Sequence, residues 1–125
     1  MRTVEVMYFT DKEDEFANLL IETGLNPNVA KVLVFLAKTP EASSRSIERG
    51  TDLRQSIVSI ALRYLIEKDW ITSRESKAQS KGRPVKIYEL AKPIHKIIDN
   101  IEREKKKKRA NDQLALVKKL HDYIG

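Results

Sequence analysis

Apolar residues recur at helical spacing through most of this chain, and alternate at strand spacing in only a few short places. Near the start, Val4, Val6 and Tyr8 share one face of TVEVMYF, which fits either a short strand or an arm that orders on a partner. Thr10 can cap a first helix, with Glu13 at the capping-box position and acidic residues crowding its positive end. Phe16, Leu19 and Leu20 form its apolar stripe, and Gly24 closes it. Asn26-Pro27 is a cap residue followed by proline at the first helical position. The VAKVLVFLAK that follows is apolar on nearly every side, so Val29, Val32, Leu33, Phe35 and Leu36 are expected in the core, and Pro40 ends the helix.

The segment 42–90 carries most of the functional information. Ser43 or Ser44 can cap a short helix around Ile47, and Gly50-Thr51 is expected to break it, since glycine tolerates a positive φ. Asp52 is then expected to open a longer helix, with Gln55 completing a capping-box spacing. This helix runs to about Asp69, with Ile57, Val58, Ala61, Leu62, Leu65 and Ile66 as its apolar content. Gln55, Ser56, Ser59 and Arg63 fall within an arc of roughly 100°, and Arg54 stands beside the helix N-terminus, where a phosphate is favoured. Trp70-Ile71-Thr72 is β-prone, and Val85–Leu90 alternates at period two. Between them SRESKAQSKGRP has no apolar residue larger than Ala78, so a hairpin with a long basic tip is expected. Arg74, Lys77, Lys81, Arg83 and Lys86 are its charges, against Glu75 alone. Short helix, turn, longer helix and basic hairpin point to a helix-turn-helix with a wing.

Beyond Leu90, Pro93 sits at the start of another helix. Ile94, Ile97, Ile98 and Ile101 form one stripe, EREKKKKRAND interrupts it, and Leu114, Val117, Leu120 and Ile124 form a second. On an unbroken helix the two stripes are roughly 140° out of phase. Either the helix breaks near Asn111-Asp112 or the stripes face different partners. We expect one long or near-continuous helix whose stripes pack against a second copy of the chain. The alternative is that both fold back on the chain's own core. A chain cut after Leu90 is accordingly expected to be a folded monomer. The Lys105–Arg109 run most simply means a solvated helix segment, with phosphate attraction as a supplement.

Composition narrows the class. With 34% charged and only 6% aromatic residues among 125, the core must be modest and mainly aliphatic. The absence of cysteine excludes disulfides and thiolate metal sites and suits a reducing cytoplasm; no signal peptide or membrane span is expected. Residues 1–25 hold two cations against six acids, a net −4, so the other hundred carry +10 to give the chain's net +6. Such a balance attracts polyanions, nucleic acid first among them. No phosphate-cradling glycine motif occurs, Gly82 being the only glycine between Gly50 and Gly125. His95 and His121 lack ligand-like neighbours, and no nucleophile–base pair is suggested. Neither an enzyme nor a bound cofactor or metal is expected.

The run VSIALRYLIEKDWI followed by KGRPVKIYEL resembles the winged-helix domain of archaeal and bacterial regulators of the TrmB and MarR type, over about Asn26–Leu90. The resemblance implies a mainly α fold with a small β-hairpin wing. It also implies a homodimeric regulator that binds double-stranded DNA sequence-specifically, one helix in the major groove and the wing on backbone or minor groove. Arg54, Gln55, Ser56, Ser59 and Arg63 would then read DNA, and Lys81 and Arg83 would be wing contacts, with Arg74 and Lys77 also expected to contact DNA. Residues 1–25 would form an arm and acidic helix, 26–90 the DNA-binding domain and 91–125 a helical dimerisation segment. Two positions depart from the pattern. Ile60 stands where such helices often carry a polar or basic residue, and Asp69 replaces the usual glycine before the wing. Winged helices also serve as protein-contact modules and as sequence-neutral architectural proteins, and these stand as the alternatives. No effector domain is visible in the sequence.

Overall fold

Asn26 starts the helix on which the first, third and fourth helices pack. Its side chain accepts hydrogen bonds from the amides of Asn28 and Val29 at the head of α2 (Pro27–Lys38), where Pro27 has no amide to leave unpaired. The structure, a computed structural model, describes residues 9–76 and 84–124. Val29, Ala30 and every residue from Val32 to Leu36 are buried, as a helix apolar all round requires. On one side lies α1 (Asp11–Glu22), whose capping box between Thr10 and Glu13 is complete and whose exit turn uses Gly24 at φ 103°. The expected stripe of α1 is shifted. Ala17 and Leu20 are buried, Phe16 is partly covered and Leu19 is 53% exposed. Leu19 is displaced about 100° around the helix from Leu20, off the face that packs.

After the short strand β1 (Ala42–Ser43), Ser43 caps α3 (Ser44–Thr51) through a hydrogen bond from the Ser46 amide. Two expectations fail here. Gly50 and Thr51 do not break α3 but form its buried last turn, and Gly50 is needed because a Cβ would run into the ring of Phe35. Asp52 does not open the next helix. It closes α3 in the left-handed region at φ 57°, an acceptable conformation for aspartate, and α4 (Gln55–Glu67) begins three residues later. Asp69, at φ 62°, makes the turn out of α4 in the same way.

Trp70 then anchors a hairpin. It is buried, sets its ring edge-on to Tyr64 with centroids 6.2 Å apart, and its carbonyl accepts from the Ala91 amide at 2.8 Å. The strands β2 (Ile71–Ser76) and β3 (Val85–Leu90) pair antiparallel, Ile71 opposite Leu90 and Ser76 opposite Val85. β1 joins the other edge of β3 with Ala42 opposite Tyr88, giving the order β1-β3-β2. Two residues are too few for a periodicity, so β1 is not legible in the sequence. Helices packed on α2 with this small sheet beside them make a winged helix.

The last element, α5 (Ile94–Ile124), runs unbroken past Asn111 and Asp112. Ile97 and Ile101 are buried in the chain's own core and Ile94 packs against it. The core therefore does not end at Leu90, and Ile97 and Ile101 of the first stripe are not free to meet a second copy as expected. From Glu102 onward every described residue is exposed; Glu104, Lys105, Lys108 and Arg109 still border the body, and beyond Arg109 the helix projects from it for roughly 20 Å. Among the described residues, no helix is long and apolar enough to cross a membrane.

Candidate nucleic-acid interface

Val58, Ala61, Leu62 and Leu65 are the buried residues of α4, and they fix its rotation about its own axis. At about 100° per residue, the direction opposite them falls near Ser56 and Glu67, with Arg63 and Ile60 on either side. Gln55 and Ser59 lie on one flank, next to the 38%-exposed Ile66. Arg54, Gln55, Ser56, Ser59 and Arg63 are all exposed, so the structure brings these five expected positions onto one accessible end and face of α4. The face is wider than the sequence suggested, because Ile60, 65% exposed, belongs to it.

The start of α4 differs from those of the three helices before it. Thr10, Asn26 and Ser43 each supply a side-chain acceptor to their helices, whereas Arg54 at the head of α4 makes no side-chain cap bond. With Asp52 occupied in closing α3, its carboxylate does not cap these amides as expected. The first-turn amides, which carry the positive end of the helix dipole, thus lack a side-chain acceptor and lie beside the exposed Arg54. Both favour an approaching anion.

In the wing the charges divide. Arg74 Nη2 is 2.6 Å from Glu41 Oε2 and its Nε is 3.9 Å from Glu89 Oε1. Arg74, expected as a DNA contact, is held by two carboxylates of its own chain, which steady the wing's base, and remains half exposed. Lys86 is exposed on β3 opposite Glu75. Lys77, Lys81 and Arg83 lie outside the described residues.

A second candidate surface runs along the free part of α5. Leu114, Val117, Leu120 and Ile124 are exposed, and Leu116 and Tyr123, which lie outside the stripe drawn from spacing, are exposed with them. Ile98, at 37% exposure, is the one member of the first stripe with appreciable free surface. Lys105, Lys106 and Arg109 border a groove of about 440 Å³ floored by Leu20, Ile98 and Ile101. The body and α5 are tied by Lys68, at the end of α4, whose Nζ donates to Glu104 Oε1 at 2.9 Å. That hydrogen bond holds the lysine pKa above its ordinary value. Among the described residues, no three His, Asp or Glu side chains gather as metal ligands.

No protein-family model and no curated protein matches this chain. Solved structures do. A possible transcriptional regulator from Methanosarcina mazei superposes with a TM-score of 0.62 at 18% identity, over 82% of this chain and 86% of that one. A transcriptional regulator homologue from Pyrococcus horikoshii gives 0.51 at 16%, over 79% and 97%. A MarR-family regulator from Neisseria meningitidis gives 0.50 at 18%, over 89% and 87%. At these identities the likeness establishes the winged-helix fold.

Proposed function

We propose that this chain is a sequence-specific, double-stranded-DNA-binding transcriptional regulator that acts as a homodimer, with α4 in the major groove and the wing on backbone or minor groove. One observation carries the reading. α4 is clamped to the core along Val58, Ala61, Leu62 and Leu65, and presents Gln55, Ser56, Ser59 and Arg63 outward beside an N-terminus with no side-chain cap. Short polar side chains and an arginine are the groups that reach base edges, and an open helix start favours phosphate. The regulator names of the structural neighbours support the same reading. A basic hairpin adds sequence-independent affinity through Lys81 and Arg83.

The dimer rests on the second face of α5. Leu114, Leu116, Val117, Leu120 and Ile124 are exposed, and no described part of the body covers them. Burying such side chains against another copy stabilises by roughly 1.5–3 kcal/mol each when complete. Two copies would carry two reading helices to half-sites about one helical turn apart. The test is selection of bound duplexes from random DNA by the full chain, followed by titration across a salt series. Gln55→Ala and Ser59→Ala should each relax base preference, by about 1–3 kcal/mol for a good contact. Arg83→Ala should weaken all sequences alike and flatten the salt dependence. Equal binding to every duplex, or a preference untouched by the Gln55 and Ser59 changes, overturns the groove assignment.

A further inference from the structure

Ile60 sits on the outward face of α4, 65% exposed, one turn after Ser56 and three residues before Arg63. Among the described residues, no element covers it. Its nearest apolar company is a shallow depression shared with Ile57, Ala61 and Tyr64, which leaves its outer surface free. If α4 enters the major groove by this face, as proposed above, Ile60 enters with it. An isoleucine side chain has no hydrogen-bonding group, so the features it can meet on base edges are limited. Against the amino group of cytosine, or O6 and N7 of guanine, it removes water and offers nothing in return. Against thymine it meets the C5-methyl group, the one apolar group that the major groove displays.

We propose that Ile60 is a specificity-determining residue that reads the C5-methyl of thymine and disfavours G·C pairs at the position it faces. The inference rests on the proposed DNA-binding function and adds to it the base that the apolar centre of the face selects. Along the helix axis Ile60 is only about 4.5 Å from Arg63, so its thymine should lie within about two base pairs of the base read by Arg63. Because the Ile60 side chain is largely outside the core, changing it leaves the fold intact and separates recognition from stability.

The experiment uses the full chain and the duplex it selects from random DNA. Each thymine is replaced singly by uracil, which deletes the methyl and keeps every hydrogen-bonding group, and affinity is read by fluorescence anisotropy at fixed salt. Wild type should lose about fourfold at one or two positions in each half-site, the transfer value of one buried methyl group. Ile60→Ala, with an unchanged circular dichroism spectrum, should bind the thymine duplex more weakly and become indifferent to uracil at those positions. Full affinity for every uracil duplex, or an equal uracil penalty in wild type and Ile60→Ala, overturns the role of Ile60 and leaves DNA recognition standing. An Ile60→Ala chain with unaltered affinity for every duplex means that the side chain serves a protein partner or none, and also overturns it. A wild-type chain with no duplex preference overturns the proposed function and this inference together.

Discussion

Lys68 Nζ lies 2.9 Å from Glu104 Oε1, joining the end of α4 to the third turn of α5. The contact links the helix that presents the candidate DNA-reading face to the helix that projects from the body. Both side chains are substantially exposed, so the pair should contribute only about 0.2–1 kcal/mol, and Glu104→Gln should lower stability by no more than that. The pH dependence has a definite sign. Lys68 has its pKa raised, chiefly by the hydrogen bond to Glu104, so its contribution is fully present below the unfolded lysine value and is lost as pH rises through the folded value. Urea unfolding of both proteins between about pH 9 and about pH 12 should show the difference between them disappearing at the alkaline end.

The opposite sign applies at α1. The carboxylate of Glu13 accepts from the Thr10 amide at 2.7 Å, and this bond is the main cause of its lowered pKa; the ion pair with Lys38 at 3.1 Å helps. Its contribution is present above the unfolded glutamate value and is lost as pH falls through the folded one. Glu13→Gln should therefore melt below wild type near about pH 7 and converge with it toward about pH 3. Thr10→Ala removes the hydroxyl acceptor of the same cap and should cost about 0.5–2 kcal/mol.

Gly50→Ala separates a local preference from a tertiary one. In an isolated helix the change would be favourable by about 0.8–1.0 kcal/mol. Here the new methyl meets the Phe35 ring, and overpacking of this kind costs about 1–3 kcal/mol. The expected net result is loss of stability in chemical denaturation. In a Phe35→Leu background, with the ring gone, the same Gly50→Ala change should be neutral or stabilising.

The two halves of α5 should respond differently to mutation. Ile97 is fully buried, so Ile97→Ala should cost about 2–5 kcal/mol of folding stability. Leu120 is 55% exposed, so Leu120→Glu should leave the fold intact and convert a dimer to a monomer in sedimentation at micromolar concentration. Cutting the chain after Leu90 removes Ile97 and Ile101 from the core and should destabilise it severely. Cutting after Arg109 keeps both and should yield a folded monomer. A folded chain ending at Leu90 would contradict the packing described above.

What the sequence determined by itself follows from local chemistry. The Thr10–Glu13 box, the Asn26-Pro27 start and the period-two strand Val85–Leu90 each depend on residues close together in the chain, and each appears where the spacing places it. That Gln55, Ser56, Ser59 and Arg63 share one face of α4 was legible for the same reason, because a helix's angular order is set by residue number alone. Only the tertiary structure decided which way that order points. Burial of Val58, Ala61, Leu62 and Leu65 turns Ile60 outward into a face that sequence spacing had drawn without it. It also assigned Asp52 to the end of α3 rather than the start of α4, since a carboxylate at a helix junction can serve either and neighbouring packing selects one. The first stripe of α5 had the same ambiguity. Ile97 and Ile101 would suit any apolar surface, and α5 lies against the chain's own core at those two turns, leaving the distal face from Leu114 to Ile124 exposed. Periodicity shows that a face is apolar; which surface covers it depends on where the rest of the chain goes.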